Sequence, residues 1–111
     1  MSETSNTNSI VVLVTIGSAD EAATLAKTLV DEKLAACCNV IEKIRSIYRW
    51  EGKVCDEGET LLMIKAIAHN YDKLEKRIKE LHSYQVPEII AIDITRGFPP
   101  YLAWLKENSQ P

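Results

Sequence analysis

The sequence lacks three features, and each absence excludes a class of protein. Its longest apolar run, residues 10–16 with Thr15 inside it, is far shorter than the roughly 20 residues that a membrane helix needs. The 13 Lys and Arg residues are outnumbered by 16 Asp and Glu residues, so there is no basic excess for binding phosphates. No basic or apolar leader opens the chain. We therefore expect no membrane partner, no nucleic-acid partner and no signal peptide.

What is present is the composition of an ordinary globular protein, with 46% apolar and 26% charged residues. A chain of 111 residues has room for one hydrophobic core. Residues 1–9 are mostly polar and show no periodicity, which predicts a disordered N-terminal arm. We therefore expect a single domain over residues 10–111.

The three cysteines, Cys37, Cys38 and Cys55, cannot all pair within one chain. Their spacing matches no zinc motif and no C-x-x-C redox motif, and neighbours on a strand point to opposite faces. Free thiols are typical of the reducing cytoplasm, where we expect the protein to be located. We also expect Cys37 and Cys38 to be buried and inert, and Cys55 to be the most reactive thiol.

Candidate catalytic groups are scarce. The chain has only two histidines and none of the strings typical of hydrolases, metalloproteases or nucleotide-binding proteins. His69 falls at a predicted strand–helix junction. His82 ends a predicted helix, where an imidazolium interacts favourably with the helix dipole. The alternative for His82 is a metal or ligand contact, since Tyr84 and Glu88 follow closely. We therefore predict that the protein is not an enzyme.

Glu57 and Glu59 lie two residues apart on a predicted strand, with Gly58 between them as the expected site of a bulge or kink. Without a bulge they share one face. Such pairs perform acid–base chemistry or bind hard cations in some proteins, although a solvated strand face is the commoner arrangement. Lys65 falls on the same face of a regular strand. It is either a surface lysine or the partner of Glu59 across an assembly.

Hydrophobic periodicity predicts a strand, a helix, two strands joined by a hairpin, a helix, a strand and a final helix. Ser18 and Glu21 form a capping box ahead of the first helix, and Asn70 is the expected N-cap of the second. Two β-α-β halves joined by a hairpin give an α+β, ferredoxin-like split βαβ fold with an additional C-terminal helix. Right-handed crossovers place both crossover helices on one face of a four-stranded antiparallel sheet.

The two middle strands, joined by a turn at residues 50–53, are about 13–16 residues each, which is roughly 40–50 Å. A domain of this size has a radius of gyration of only about 13 Å, so the hairpin should extend beyond its own body. Alternation places Val40, Ile44, Tyr48 and Trp50 on one face of the second strand. A ribbon that extends with exposed aromatic residues is stabilised when it packs against another copy.

Four aromatic side chains are candidates for this contact between copies. Trp50, at a turn, cannot easily be buried within its own subunit. Tyr48 precedes it on the same strand, and Tyr101 and Trp104 lie on the last helix. Core packing is the alternative for Trp104. We therefore expect self-association through these residues.

Several segments together resemble the CutA divalent-cation-tolerance family. They are Leu34-Ala35-Ala36-Cys37 with Asn39, residues 48–53 (YRWEGK), Glu59 with Leu62, Ile64 and Lys65, residues 82–89 (HSYQVPEI), and residues 101–104 (YLAW). The match extends from residue 10 to residue 108, and the order and spacing of the two longer strings make it specific.

The resemblance implies a ferredoxin-like fold and a cytoplasmic homotrimer that takes part in the tolerance of, or response to, divalent metal ions such as copper. It also implies an architecture shared with the trimeric PII signalling proteins, which bind small effectors between subunits. The family's metal binding has been associated with a first-strand cysteine, a histidine near the end of the second helix and a glutamate. These positions are Val14, His82 and Glu59 here. Because Val14 cannot ligate a metal, we expect weak copper binding and no obligatory cofactor.

Two functional hypotheses from different classes remain at this point. The first is a metal-responsive binding protein with weak, copper-type coordination around Glu59 and His82. The second is a PII-like small-molecule sensor that binds its effector in a cleft between subunits. The candidate ligand-binding residues of that cleft are Trp50, Lys65, Tyr84 and Glu88. A metal site needs three or more converging donors, whereas an effector cleft needs mixed polar and aromatic groups.

Overall fold

The computed structural model describes residues 7–111 of the chain. The elements, in chain order, are β1 (Ser9–Ile16), α1 (Ala19–Asp31), β2 (Cys37–Trp50), β3 (Lys53–Ile67), a short 3-10 helix (Ala68–Asn70), α2 (Tyr71–Leu81), β4 (Ile89–Ile94) and α3 (Pro99–Asn108). This order confirms the predicted succession of strands and helices. Of the N-terminal arm predicted over residues 1–9, residues 1–6 lie outside the described residues, and Ser9 already belongs to β1.

The four strands form one sheet in the order β2-β3-β1-β4, with every neighbouring pair antiparallel. β1 lies inside the sheet, where Val12 pairs with Ile64 of β3 and with Ala91 of β4. Interior strands are typically rich in β-branched apolar residues, and β1 is such an almost uninterrupted apolar run. The α+β, ferredoxin-like fold is therefore confirmed.

The core lies between the sheet and the two crossover helices. Every second residue of β1 is buried, among them Val12 and Val14, and these pack in one cluster with side chains of β3, α1 and α2. Leu29 of α1 and Ile78 of α2 belong to this same cluster, so both helices cover the same face of the sheet. The opposite side, free of both crossover helices, is called the helix-free face below. α3 meets this side at Cys37, with which Tyr101 interacts.

α3 packs separately from this core. Its Leu105 is fully buried but lies outside the main cluster, and the helix contacts β1 and β3. Two prolines begin the helix, Pro99 and Pro100, in positions where a missing backbone N–H costs little. None of the helices between residues 7 and 111 is long and apolar enough to cross a membrane.

The predicted cap of α1 is present, with one difference. The Ser18 hydroxyl accepts a hydrogen bond from the Glu21 backbone N–H at 3.1 Å, as a capping box requires. The Glu21 carboxylate does not return this bond to Ser18. It accepts instead from the backbone N–H of Ser83 at 3.2 Å, and so ties the loop after α2 to the first turn of α1.

Asn70 differs from its predicted role as the N-cap of α2. It occupies the cap position but makes no capping hydrogen bond. Its amide Nδ2 donates to the carbonyl oxygen of Leu34 at 3.1 Å and to that of Ser109 at 2.6 Å. Asn70 is 1% exposed, so water cannot readily bind its amide, and the two distant carbonyls serve as its partners instead. Asn70 therefore joins the loop before β2 to the end of the chain.

The bulge expected at Gly58 is on the other strand. Gly58 pairs regularly with Arg45, whereas the register of β2 shifts between Ile41 and Ile44. Lys43, inside the shift, has a φ of 62°. The extra residue reverses the alternation, so Ile44 lies on the helix-free face, opposite to the side of Val40. The prediction that Val40 and Ile44 share a face is therefore wrong.

The long hairpin extends beyond the body of the molecule, as predicted. β1 accompanies β3 only as far as the pair Ile16 and Thr60, whereas β2 and β3 continue to the pair Trp50 and Lys53. The two turn residues between them, Glu51 and Gly52, have positive φ angles of 49° and 80°, which suit a tight hairpin turn. The molecule consequently measures 45 × 32 × 23 Å.

The three cysteines are unpaired and half-buried, so the expected full burial of Cys37 and Cys38 is wrong. Cys38 packs against the core, and burial raises the pKa of its thiol to about 12. A thiol with such a pKa has very little of the reactive thiolate near neutral pH. Cys37, in contrast, lies opposite Lys65 in the sheet.

We predict that Cys55 reacts first with iodoacetamide in the native protein and that Cys38 reacts at least about tenfold more slowly. Timed labelling at pH 8, followed by peptide mass spectrometry, measures each rate. Labelling in urea is the control, because there the two thiols should react at similar rates. Equal native rates for Cys38 and Cys55 would contradict the packing of Cys38.

Candidate functional site

On the helix-free side, the extending hairpin and the loop after α2 enclose a cleft of about 610 Å³. Its lining residues come from the end of β1, the outer halves of β2 and β3, and the loop: Thr15, Ser46, Ile47, Tyr48, Trp50, Glu57, Glu59, Tyr84, Gln85, Val86 and Glu88. Trp50, Tyr84 and Glu88, predicted to bind a ligand, are thus brought together with Glu59. Distant parts of the chain meet here because the hairpin passes beside the loop.

Three carboxylates give the cleft its charge. Glu59 is 8% exposed, and its Oε2 accepts a hydrogen bond from the Tyr84 hydroxyl at 2.7 Å. Glu57 accepts one from the Tyr48 hydroxyl at 2.5 Å. Glu88 lies at the rim, 3.5 Å from the Thr15 hydroxyl. No lysine or arginine among residues 7–111 lines the cleft, so its described wall is acidic.

The two tyrosines stay protonated donors over the physiological pH range. The hydrogen bond to Glu57 raises the pKa of Tyr48 to about 12. Burial, followed by the hydrogen bond to Glu59, raises the pKa of Tyr84 well above its ordinary value. Ionising either phenol would place a second negative charge beside a carboxylate, which is unfavourable. Each tyrosine therefore holds its carboxylate in place.

His82 is buried at the base of the loop, with both ring nitrogens engaged. Nδ1 accepts a hydrogen bond from the backbone N–H of Tyr84 at 3.0 Å. Nε2 lies 2.8 Å from the Thr15 carbonyl oxygen, so it carries the proton and donates. A metal ion that binds the ring would therefore have to displace one of these two partners. His82 therefore positions the loop. Its predicted role as a metal ligand stays a prediction.

The loop wall of the cleft is fixed from three directions. Glu21 holds the backbone of Ser83, and His82 holds that of Tyr84. The Tyr84 side chain is bound to Glu59 of β3, and its ring lies 4.7 Å from the His82 ring, measured between centroids. The wall is consequently formed before any ligand arrives.

The donors present do not fit a resident metal ion. Within residues 7–111, no three His, Cys, Asp or Glu side chains come close enough to share one. The two expected ligands, Glu59 and His82, bind different atoms of Tyr84. Val14, at the first-strand position, is fully buried in the core. A structural or catalytic metal requires a larger donor set than one chain supplies here.

Lys65 does not line the cleft within one chain, and its predicted place in a cleft between subunits stays a prediction. Its Nζ donates to the Asn39 side-chain oxygen at 2.6 Å, and it does not reach Glu59 within the chain. The parity of β3 does place both residues on the helix-free face. The two residues are nevertheless too far apart along the strand for their side chains to meet.

The four aromatic residues predicted for an interface are all exposed. Tyr48 and Trp50 lie on the hairpin, with exposed fractions of 38% and 47%. Tyr101 and Trp104 of α3 are similarly exposed and stack on each other at 5.6 Å between ring centroids. The core-packing alternative for Trp104 is therefore wrong for the single chain.

Comparison with known proteins identifies the family. The model of the CutA1 divalent ion tolerance protein matches residues 10–108. The chain belongs to this family. A curated relative, the divalent-cation tolerance protein CutA of Thermus thermophilus, is 50% identical over 99 residues, which is 89% of this chain and 96% of the relative. The chloroplastic protein CutA of Arabidopsis thaliana is 44% identical over 111 residues, or 99% of this chain and 61% of the plant protein.

Solved CutA structures have the same fold. The divalent cation tolerance protein of Thermus thermophilus superposes with a TM-score of 0.89 at 48% identity, over 92% of this chain and 99% of that one. CutA1 of Oryza sativa gives a TM-score of 0.89 at 44% identity, over 92% and 94% of the two chains. The resemblance inferred from the YRWEGK and HSYQVPEI strings is thereby confirmed.

Sequence reasoning missed Thr15, Ser46 and Gln85 as lining residues of the cleft. One signal for Thr15 was available, because it is the single polar residue inside the apolar run of β1. The sequence offered no such signal for Ser46, because the side of the sheet on which Ser46 lies depends on the bulge earlier in β2.

Proposed function

We propose that the protein acts as a homotrimer in the tolerance of, or response to, divalent metal ions. Family membership supports the metal role, and the name of the Thermus thermophilus relative carries the same description. One observation supports the assembly: the part of the helix-free face formed by β4 and β1 exposes apolar side chains. Ile90 and Ile92 of β4 are 49% and 53% exposed there, beside Leu13 and Val11 of β1.

Edge strands support a closed ring of copies. Within residues 7–111, β2 pairs only with β3 and β4 only with β1, so each strand has an unpaired edge. These two edges differ, and contacts between unlike surfaces build rings when the rotation closes. That the ring contains three copies is inferred from the resemblance to the family. Light scattering at micromolar concentration should give about three times the 12.5 kDa chain mass.

Copper binding, in this proposal, is weak and opportunistic. A site of nitrogen and oxygen donors binds divalent copper more tightly than zinc, as the Irving–Williams order describes. Any ion that uses the His82 imidazole must first displace the Thr15 carbonyl or the Tyr84 N–H. That displacement, together with the lack of a third donor among residues 7–111, limits the affinity.

We predict a dissociation constant for divalent copper no tighter than the micromolar range, and weaker binding of zinc. Calorimetric titration of the metal-free protein measures both. His82→Ala should remove most of the copper binding, whereas the matched variant at the exposed histidine, His69→Ala, should retain it. Nanomolar binding that survives His82→Ala would contradict the proposal and would indicate a site built from the thiols.

We further propose a cytoplasmic location and no catalytic activity. The three unpaired thiols support a reducing compartment. The family is named for ion tolerance, not for a reaction. His82, at the base of the loop, is hydrogen-bonded at both ring nitrogens and so is unsuited to act as a general base.

A further inference from the structure

We propose that the cleft between the hairpin and the loop after α2 binds a small organic cation, namely an ammonium group attached to an aliphatic or aromatic body. This inference concerns a different ligand from the metal ions of the proposed function. It rests on an unpaired buried charge, an aromatic wall and the size of the cleft.

The charge of Glu59 lacks a counter-ion. The residue is 8% exposed, and no lysine, arginine or histidine within residues 7–111 forms an ion pair with it. One carboxylate oxygen is bound by the Tyr84 hydroxyl, while the other has no protein donor among the described residues. Burying a carboxylate without a compensating charge is costly. A cation in the cleft would supply that charge beside a residue that already lines it.

The remaining charges point to the same class of ligand. Glu57, on the same strand as Glu59, and Glu88, on the loop, add negative charge, and no basic residue among residues 7–111 lines the cleft. An anionic effector such as a nucleotide would be repelled by all three carboxylates. The electrostatics therefore favour a cation and disfavour a phosphate compound.

Aromatic walls distinguish an organic cation from a metal ion. Tyr48, Trp50 and Tyr84 line the cleft, and the faces of such rings attract ammonium groups, trimethylammonium groups in particular. A volume of about 610 Å³ is within the usual range for small-molecule sites. A single divalent ion would leave most of it empty and would find no third donor among residues 7–111.

The test is calorimetric titration of the assembled protein, after light scattering has established its mass. The probes are choline, spermidine, ATP and 3,3-dimethylbutan-1-ol, the uncharged isostere of choline. We expect choline or spermidine to bind with a submillimolar dissociation constant, at least about tenfold tighter than the neutral alcohol. ATP should not bind. Equal binding of choline and its isostere, or binding of ATP alone, would overturn the proposal.

Two variants test whether the cation binds within the cleft. Glu59→Gln should weaken amine binding by at least about tenfold. Glu88→Gln, at an exposed position where folding is not at risk, should weaken it by about two- to fivefold. Glu107→Gln, on exposed α3, is the matched control and should bind as the unmodified protein does.

One competing occupant is a lysine or arginine of a neighbouring copy that fills the cleft on assembly. In that case no amine would bind the assembled protein, and the proposal would fail. Copper is titrated into separate samples, with and without saturating choline. Micromolar copper binding by a protein that binds no amine would overturn this proposal and leave the metal proposal standing, whereas amine binding without copper binding would do the reverse.

Discussion

Ile92→Glu should dissociate the proposed trimer, so that the mass measured by light scattering falls from about three chains to about one chain of 12.5 kDa. Ile92 is 53% exposed in the single chain and lies on the helix-free face, opposite Val11 in the sheet. A carboxylate there is harmless to a lone chain because water reaches it. In an interface it is buried without a partner, which is strongly unfavourable.

The matched control is Val30→Glu, which introduces the same side chain at an exposed apolar residue of α1. This position lies on the helical side of the sheet, so the trimer should persist. Circular dichroism checks that both variants are folded. A folded Ile92→Glu variant that retains three chains at micromolar concentration would show that the helix-free face is not the contact surface.

Asn70→Ala should lower the free energy of unfolding by about 2–4 kcal/mol per chain. The substitution leaves the carbonyl oxygens of Leu34 and Ser109 without their donor, and the site is 1% exposed, so water cannot readily replace it. Part of the loss is offset, since Oδ1 of Asn70 is itself buried without a partner among the described residues. Urea denaturation at equal protein concentration measures the difference, because the stability of an oligomer depends on concentration.

Asn108→Ala is the control for this prediction. Asn108 also donates from Nδ2 to a backbone carbonyl, that of Trp104 at 2.9 Å, but it is exposed on α3. Its loss should cost no more than about 0.5 kcal/mol. If Asn70→Ala were as mild as this control, the bonds to Leu34 and Ser109 would not hold the chain end in place.

The fold was predictable because its signals are local. The apolar run of β1, the Ser18 cap of α1 and the turn at Glu51 and Gly52 each depend on residues adjacent in sequence. Antiparallel pairing and crossover handedness then leave few topologies. The extending hairpin followed from strand length alone.

The errors concern side chains whose partners are distant in sequence. Asn70 suits a helix cap by type, yet two remote carbonyls compete for its amide. The positioning role of His82 was missed for the same reason, because the Thr15 carbonyl that its Nε2 contacts is 67 residues away. Polar residues of this kind have several favourable environments, and only the packed chain selects one.

The cleft itself was partly predictable. Trp50, Tyr84 and Glu88 were grouped through the family resemblance, and the structure brings them together. Lys65 does not line the cleft within one chain, since sharing a face of a strand does not set the distance along it. Ser46 lay beyond prediction because a bulge upstream sets its direction.

That bulge at Lys43 also decides the chemical character of the hairpin. The added residue turns Tyr48 and Trp50 toward one side and leaves Arg45 and Arg49 on the other. Deleting one residue here would exchange the two sides of β2 from the bulge to the turn, and so present Arg45 and Arg49 where Tyr48 and Trp50 now lie. A single insertion or deletion could thus give related chains with the same fold incompatible surfaces, which would keep their subunits from mixing.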